Sequence, residues 1–183
     1  MSRIIYLDVD GVLSPDTMAS RQKYWKDYKK YDFPDVMAPN GDHAPQRMWL
    51  SEEMGATIWA VADACRAEIV WSTTWGHQAN VCIGGVFGWP ELRVIGYDWN
   101  TDTDKYNSGK IPSIEAECNN HAIVVLDDML GWRDKDWLDD RHKKDKLPTL
   151  GIAPRDFIGL TKIHLEMIEI FFLTQTRKPW ALY

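Results

Sequence analysis

The stretch Ile4-Ile5-Tyr6-Leu7-Asp8-Val9-Asp10-Gly11-Val12 places two carboxylates where an apolar run ends. The apolar run predicts a buried strand, in which residues two apart project to one side, roughly 6 to 7 Å from each other. Asp8 and Asp10 can therefore face one small target. Two acids at this position suit a divalent cation, and one of them can attack an electrophile. An ordinary turn explains the same residues equally well on local grounds, so the rest of the chain must decide.

Short apolar runs alternate with helical patterns along the rest of the chain. Strands are expected over residues 4–7, 69–72, 92–96, 122–126 and 149–153, and helices over residues 52–66, 111–119 and 160–174. Ser51 is the expected N-cap of the first of these helices. The alternation predicts an α/β fold, with a mostly parallel central sheet and helices on both faces.

Residues 14–49 interrupt this alternation and include four prolines, Pro15, Pro34, Pro39 and Pro45. Because they directly follow the Asp pair, we expect a small cap or insertion above the carboxyl edge of the sheet, where open α/β folds bind ligands. Such a segment can exclude water and contact the substrate. A surface excursion without a substrate role is the alternative.

The composition excludes several classes of protein. A length of 183 residues suits one domain, and no apolar run approaches the ~20 residues that span a bilayer. The chain enters its first strand without room for a signal peptide, so we expect a cytoplasmic protein with no membrane partner. The spacing of the three cysteines and five histidines fits neither a disulfide framework nor a zinc site. The net charge of −6 opposes nonspecific adhesion to nucleic acid, although a local basic groove remains compatible with it.

Two further predicted strands end in polar residues. Val70-Trp71 leads into Ser72-Thr73-Thr74, whose hydroxyl and backbone N–H groups can hold phosphoryl oxygens without adding charge. Val124-Val125-Leu126 leads into two more carboxylates, Asp127-Asp128. Lys110 stands just before the helix that precedes this last strand, and its ammonium group can balance the acids and a substrate anion.

The order of these four features resembles the haloacid dehalogenase-like (HAD) phosphohydrolase superfamily. Its first to fourth motifs are similar to Asp8-Val9-Asp10-Gly11-Val12, Thr73, Lys110 and Asp127-Asp128. Within the superfamily, HAD domains associated with RNA-repair proteins resemble this chain at Trp71-Ser72-Thr73-Thr74-Trp75, at Lys110-Ile111-Pro112 and at Gly159-Leu160-Thr161. The resemblance implies a HAD-like Rossmannoid three-layer sandwich, with a single domain over residues 1–183 and the insertion over residues 14–49.

The resemblance also implies a mechanism. Asp8 would attack phosphorus to form an aspartyl-phosphate, and Asp10 would protonate the leaving oxygen and later accept a proton from water. Mg²⁺ would be held by the Asp8 carboxylate, the Asp10 backbone carbonyl and Asp127, with Asp128 as a more distant or alternative ligand. The reverse assignment, with Asp127 as a helix N-cap and Asp128 as the ligand, stays open.

The phosphate-binding residues follow from the same resemblance. Thr73, the backbone of Thr74 and the ammonium group of Lys110 would hold the phosphoryl oxygens. Lys105 is an alternative to Lys110, which we prefer because it opens the helix before the Asp-Asp strand. Ser72 is an alternative to Thr73, because the pattern does not decide which side chain faces the site.

The insertion indicates a class of substrate. Residues 21–31 interleave five basic residues with four aromatic ones, a combination that binds single-stranded nucleic acid, and the candidate contacts are Lys23, Trp25, Lys26 and Lys30. An amphipathic lid helix explains the same pattern. A second basic cluster, Arg141-His142-Lys143-Lys144, is either a binding surface or a charged loop.

These observations together predict a Mg²⁺-dependent phosphomonoesterase whose partner is a phosphorylated small molecule, a nucleotide or an oligonucleotide end. The leading substrate is a nucleotide or a nucleic-acid terminal phosphate. The alternatives are a phosphatase of a small sugar or metabolite phosphate, and a catalytically silent HAD-like scaffold.

Overall fold

The computed structural model describes residues 1–15, 24–37, 41–97 and 105–174. Among these residues the strands are Arg3–Leu7 (β1), Lys29–Met37 (β2), His43–Leu50 (β3), Ala67–Trp71 (β4), Ala122–Leu126 (β5) and Thr149–Ile152 (β6). The helices are Glu52–Cys65 (α1), Gly85–Phe87 (α2), Ile111–Glu117 (α3), Trp132–Lys143 (α4) and Lys162–Thr174 (α5), and a π-helical turn over Asn80–Gly84 leads into α2. None of these helices is long and apolar enough to cross a bilayer.

Four of the described strands form one parallel sheet in the order β4-β1-β5-β6. The central strands β1 and β5 are apolar because both faces of the sheet are covered. Leu7 at the end of β1 pairs with Trp71 at the end of β4 and with Leu126 at the end of β5. The residues that follow these three strands therefore meet at one carboxyl edge.

Helices cover both faces of this sheet. On one face α1 and α5 contribute Ile58 and Phe171 to a large apolar core, and on the other face α3 and α4 contribute Ile111 and Leu138 to a second core. Each large apolar side chain buried in this way contributes about 1.5 to 3 kcal/mol relative to an exposed one. The described elements thus form a three-layer α/β sandwich, as expected for a HAD-like Rossmannoid fold.

Helix α1 begins and ends as its sequence predicts. Ser51 has extended backbone angles and its hydroxyl accepts a hydrogen bond from the Met54 N–H at 3.0 Å. Two acidic residues occupy the first turn, where they favour the positive end of the helix dipole. Arg66 ends the helix in a left-handed conformation with φ of 51°. The predicted cap is confirmed, and the predicted helix ends within one residue of the observed one.

Strands β2 and β3 form an antiparallel hairpin inside the predicted insertion. The register shifts between Phe33 and Val36, next to Pro34, which lacks the N–H group that a ladder needs. Val36 and Met48 are buried in the same core as α1. An amphipathic helix, the alternative interpretation of residues 21–31, is therefore wrong for residues 29–31, which belong to β2.

Two elements differ from the predicted pattern. Residues 92–96 form no strand; the chain there makes only a single bridge, between Val94 and Trp71. Helix α4 was not predicted, because its sequence is mostly polar and its buried residues are Asp134, Leu138 and Arg141. A helix held by buried polar groups gives almost no apolar periodicity in the sequence.

Candidate active site

The carboxyl edge of the sheet brings three sequence motifs together. The N–H group of Asp8 donates to the Leu126 carbonyl at 3.0 Å, and the N–H group of Ser72 donates to the Leu7 carbonyl at 2.9 Å. The pairing of β1 with both neighbours thus continues one residue beyond the strand ends. Asp8 therefore lies between the first residue after β4 and the first residue after β5.

Asp8, Asp127 and Asp128 form an acidic cluster, in which one carboxylate oxygen from each residue lies within 4.8 Å of the other two. Asp8 is 4% exposed and Asp127 is 1% exposed, whereas Asp128 is half-buried. Carboxylate oxygens are the ligands that Mg²⁺ prefers, and three of them this close repel one another unless a cation balances them. The chemistry of the donor set therefore fits a divalent ion.

Lys110 is the buried cation beside this cluster. Its ammonium group contacts the Asp8 carboxylate and lies 3.0 Å from Oδ2 of Asp127. Burial alone would lower the pKa of Lys110, but Asp127 and Asp8 outweigh burial and raise it above its ordinary value. Lys105 is exposed and pairs with Glu115 at 3.3 Å. The structure therefore brings Lys110, and not Lys105, to the acids.

Burial governs the protonation of two acids in the cluster. It raises the pKa of Asp8 to about 7, with Lys110 opposing the shift and Asp127 adding to it. Burial and the neighbouring Asp127 also raise the pKa of Asp128 to about 6. One lysine thus leaves the cluster short of positive charge, which is a second reason why a divalent cation suits it.

Two polar residues that the sequence did not indicate hold the Lys110 loop beside the cluster. The buried carboxylate of Asp134 accepts hydrogen bonds from the N–H groups of Asn107 at 2.8 Å and Ser108 at 3.2 Å. The Ser108 hydroxyl in turn donates to Asp127 at 3.3 Å and accepts from the Lys110 N–H at 3.3 Å. Acids are common in the first turn of a helix, so no sequence pattern indicates this role of Asp134.

Two glycines allow the loop after β1 to close. Gly11 has φ of +66°, and a Cβ added there would lie 2.4 Å from the carboxyl carbon of Asp128. Gly159 has φ of +71°, and its Cβ would lie 2.8 Å from the Val12 carbonyl oxygen, which accepts a hydrogen bond from the Leu160 N–H at 2.8 Å. The late Gly159-Leu160-Thr161 motif therefore lies against the loop that carries the first motif.

The Asp10 carboxylate lies outside the acidic cluster. It is exposed, and its Oδ2 accepts a hydrogen bond from the Trp75 indole N–H at 2.9 Å. The prediction that Asp10 binds the metal through its backbone carbonyl does not depend on the position of its side chain, and it stays a prediction. An exposed carboxylate next to the cluster is suited to exchanging protons with substrate and water. Trp75 belongs to a motif that the sequence singled out, but its contact with Asp10 was not predicted.

Ser72 and Thr73 are both buried after β4. Thr73 Oγ1 accepts a hydrogen bond from the Trp75 N–H at 3.4 Å, which leaves its O–H free to donate to another group. The Ser72 hydroxyl has no hydrogen-bond partner within the described residues. Thr74, the next residue, is half-buried. Both hydroxyls are therefore candidates for donating to a phosphoryl oxygen, and the choice between them stays open.

A family model described as the HAD domain in Swiss Army Knife RNA repair proteins matches residues 4–164. This chain belongs to that family. The match covers all of the parallel sheet except Arg3 and every residue of the site, so the resemblance predicted from the motifs is confirmed, as is the fold class. Comparison with curated proteins and with solved structures gave no significant match. Membership of the HAD family supports a phosphohydrolase-type function.

The insertion of this HAD domain differs from the predicted nucleic-acid surface at Trp25. Trp25 is 1% exposed and its indole N–H donates to a backbone carbonyl before α5 at 2.7 Å, so it is a core residue on which no base can stack. Lys30 lies 3.5 Å from Asp32. Lys26 is exposed and has no partner in the part of the chain that the structure describes. Lys23 lies outside the described residues.

The second basic cluster belongs largely to the scaffold of the HAD domain. Arg141 is buried and donates to backbone carbonyls at the end of α3 and in the turn before β5. Lys143 pairs with Asp139 at 3.0 Å, and Lys144 pairs with Asp140 at 2.8 Å. These charges lie at the end of α4, and neighbouring carboxylates partly neutralise them.

Proposed function

We propose that this HAD domain is a Mg²⁺-dependent phosphomonoesterase, and that it acts on a nucleotide or a nucleic-acid terminal phosphate through an aspartyl-phosphate on Asp8. The observation that carries the proposal is the convergence of the acidic cluster with Lys110 at the carboxyl edge of the sheet. The family description, which names RNA repair proteins, supports a substrate related to nucleic acid.

Asp8 is the proposed nucleophile. One of its oxygens accepts the Val9 N–H at 2.7 Å and the other contacts Lys110, so the carboxylate is held in one orientation. An Asp8 oxygen would bond to phosphorus while the bond from phosphorus to the leaving oxygen breaks, and Asp10 would protonate that oxygen. Water would then attack the phosphorus, Asp10 would take its proton, and inorganic phosphate would leave with Asp8 restored.

The acidic cluster and the backbone carbonyl of Asp10 would hold Mg²⁺. When bound, the ion supplies the positive charge that lets an anionic nucleophile approach an anionic ester. The size of the repulsion explains why the ion is needed. A carboxylate about 4 Å from one phosphate charge is repelled by about 4 kcal/mol at an effective dielectric of 20. Lys110 alone does not offset three carboxylates facing a dianion.

The phosphoryl oxygens would be held by donors from two loops. Lys110 provides a buried ammonium group, and the loop after β4 provides the hydroxyl of Thr73 or Ser72 and the N–H group of Thr74. Lys110 is held beside Asp8 before substrate binds, so this donor needs little reorganisation to stabilise developing charge.

The test is the release of inorganic phosphate from an aryl phosphate and from 3′- and 5′-phosphorylated oligoribonucleotides, with Mg²⁺ and with a chelator. We expect turnover that requires Mg²⁺ and falls at least about 1,000-fold in Asp8→Asn, because the amide cannot act as the nucleophile. Asp136→Asn removes one carboxylate from the exposed face of α4 and is the matched control. Absence of Mg²⁺-dependent turnover on every substrate, or full activity in Asp8→Asn, would overturn the proposal.

A phosphatase of a small metabolite is the second candidate, and one observation favours it. The insertion offers fewer groups for binding single-stranded nucleic acid than its sequence predicts, because Trp25 is buried and Lys29 pairs with Glu52 at 2.9 Å. The two functions differ in their dependence on substrate length. If oligonucleotide ends and mononucleotides are hydrolysed with equal efficiency, the site recognises only the terminal unit.

A further inference from the structure

A cavity of about 380 Å³ opens beside the proposed phosphate site, between three segments of the chain. Met37 lines it from the end of β2, the loop after β4 lines it from Thr73 to Gln78, and Tyr97 lines it with the residues just before it. This volume is at the lower end of the range for small-molecule sites. The cavity therefore suits one small organic group better than a length of polymer.

Two contacts place this cavity on the leaving-group side of the site. Thr73 lines the cavity and is also one of the proposed donors to phosphate. Trp75 lines it as well, and its indole N–H donates to the Asp10 carboxylate at 2.9 Å. Asp10 is the proposed proton donor to the leaving oxygen and must reach that oxygen. The group attached to the leaving oxygen is therefore brought next to Trp75.

The part of the cavity lining that the structure describes offers no permanent charge to a second anion. None of the described residues that line it is Lys, Arg, Asp or Glu. A second phosphate or a carboxylate would enter it without a permanent cation to pair with, and this is costly for a desolvated anion. A bisphosphate or a phosphorylated amino acid is therefore a poor fit.

The same lining suits a flat heteroaromatic group. Trp75 and Tyr97 offer aromatic rings and Met37 a polarisable side chain, while His77 and Gln78 can donate and accept hydrogen bonds. Trp75 also contacts Phe33 of β2 edge-on, with ring centroids 6.4 Å apart, so the hairpin supports the ring next to Asp10. Apolar faces combined with polar edges are what a nucleobase requires.

We propose that this cavity binds the uncharged nucleoside that carries the scissile phosphate, with Trp75 both lining the nucleoside site and positioning Asp10. The assignment of the nucleoside as the leaving group rests on the proposed phosphatase function. Nucleoside binding itself does not, because it requires neither metal nor turnover.

The binding test adds adenosine or uridine to the metal-free protein. Binding is measured by calorimetry or by the quenching of tryptophan fluorescence. We expect saturable binding that weakens about tenfold in Tyr97→Leu, because the smaller apolar side chain removes one ring from the lining. Trp132→Leu is the matched control, because Trp132 is 64% exposed at the same edge of the sheet and does not line the cavity. Ribose, which lacks a base, should bind at least tenfold more weakly than either nucleoside.

A kinetic test addresses the positioning role of Trp75. Trp75→Phe keeps a ring in the cavity but removes the N–H donor to Asp10, so we expect kcat for a nucleoside monophosphate to fall about tenfold with KM changed less than threefold. The loss should be smaller for an aryl phosphate whose leaving group needs no proton, since Asp10 contributes less to that reaction.

The possible outcomes separate the two proposals. Nucleoside binding that depends on Tyr97, without phosphate release from any substrate, would support the cavity assignment and overturn the phosphatase. Phosphate release without nucleoside binding, or binding that is lost in Trp132→Leu and kept in Tyr97→Leu, would overturn the cavity assignment and leave the phosphatase intact. An equal effect of Trp75→Phe on both classes of leaving group would overturn the positioning role.

Discussion

Lysines lie beside carboxylates both at the acidic cluster and on the hairpin of the insertion, but the two regions differ in how far water reaches these charges. Lys110 is buried between Asp8 and Asp127, where little water screens the interaction. Lys29 on the hairpin has 63% of its side chain exposed and pairs with Glu52 on the surface, where water screens most of the attraction. Burial, more than residue type, therefore separates the charges that can perform chemistry from those that mainly face water.

Replacing Lys110 gives the largest effect expected from this comparison. Lys110→Met keeps most of the side-chain volume and leaves Asp8 and Asp127 without their cation. We expect turnover to fall at least about 100-fold, because the site loses a preorganised donor to the phosphoryl oxygens. The metal-free variant should also lose about 3 to 5 kcal/mol of unfolding free energy, the usual cost of removing one partner of a buried pair.

Mg²⁺ binding distinguishes this role of Lys110 from simple misfolding. Because the ammonium group competes with a metal ion for the same carboxylates, Lys110→Met should bind Mg²⁺ several-fold more tightly by calorimetry while remaining inactive. Lys29→Met removes an exposed lysine and should leave stability, Mg²⁺ binding and turnover unchanged. Equal losses of activity in the two variants would mean that burial does not separate the two regions.

The features predicted correctly are those whose causes are local. The apolar runs of β1 and β5, the Ser51 cap and the polar strand ends each depend on a few neighbouring residues. Parallel strands then bring their carboxyl ends to one edge, so the meeting of Asp8 with Asp127 and Asp128 followed from topology, whereas the role of Lys110 was predicted from the family resemblance and from its place before α3. This is why one motif order was sufficient to recognise both the fold and the family.

The features that the sequence did not reveal depend on distant contacts. In the sequence, Trp25 resembles a residue on which a base can stack. In the structure its indole N–H donates to a backbone carbonyl 135 residues further along the chain. Asp134 resembles an ordinary residue of a first helical turn, but it accepts bonds from a loop that precedes it by 26 and 27 residues. Local patterns cannot distinguish such buried polar residues from solvated ones, and Trp25 was assigned to the substrate surface for this reason.

His164 extends the comparison to a buried group that carries no charge. Its Nδ1 accepts a hydrogen bond from the Thr161 N–H at 3.1 Å, in the turn that lies against the loop of the first motif. Burial lowers the pKa of His164 to about 4. The unfolded chain takes up a proton below pH 6.5 and the folded protein only below about 4. The stability contributed by neutral His164 is therefore fully present above pH 6.5 and is lost as the pH falls from 6.5 to 4, a total of about 3 kcal/mol.

The measurement is the unfolding free energy in urea between pH 7.5 and 4.5. His164→Asn keeps an acceptor for Thr161 and removes the titrating group, so its stability should fall less over this range than that of the wild-type protein. His43→Asn replaces an exposed histidine and should follow the wild-type pH dependence. If His164→Asn and the wild-type protein lose stability in parallel, acid sensitivity arises elsewhere.

The hydroxyls after β4 offer a smaller test within the buried region itself. Ser72→Ala and Thr73→Val each remove one buried hydroxyl with little change in volume. We expect one of the two variants to lose about 10- to 100-fold in kcat/KM, and the other less than threefold, because a single side-chain hydroxyl is needed to bond a phosphoryl oxygen. Losses of similar size in both variants would assign the phosphate site to both residues.

Lys26 gives the smallest expected effect and tests the exposed side of the comparison. Among the lysines of the described insertion it is the one without a carboxylate partner in the described residues, so its charge is available to a second phosphate of an oligonucleotide. Lys26→Ala should lower kcat/KM for a phosphorylated oligonucleotide about twofold to threefold at low salt, with no change for a mononucleotide, and the difference should vanish at high salt as screening increases. Lys29→Ala removes a lysine that Glu52 already neutralises and should change neither rate. If Lys26→Ala slows both substrates equally, its charge acts on the reacting phosphate, and the division between a charged buried site and a screened outer surface no longer holds.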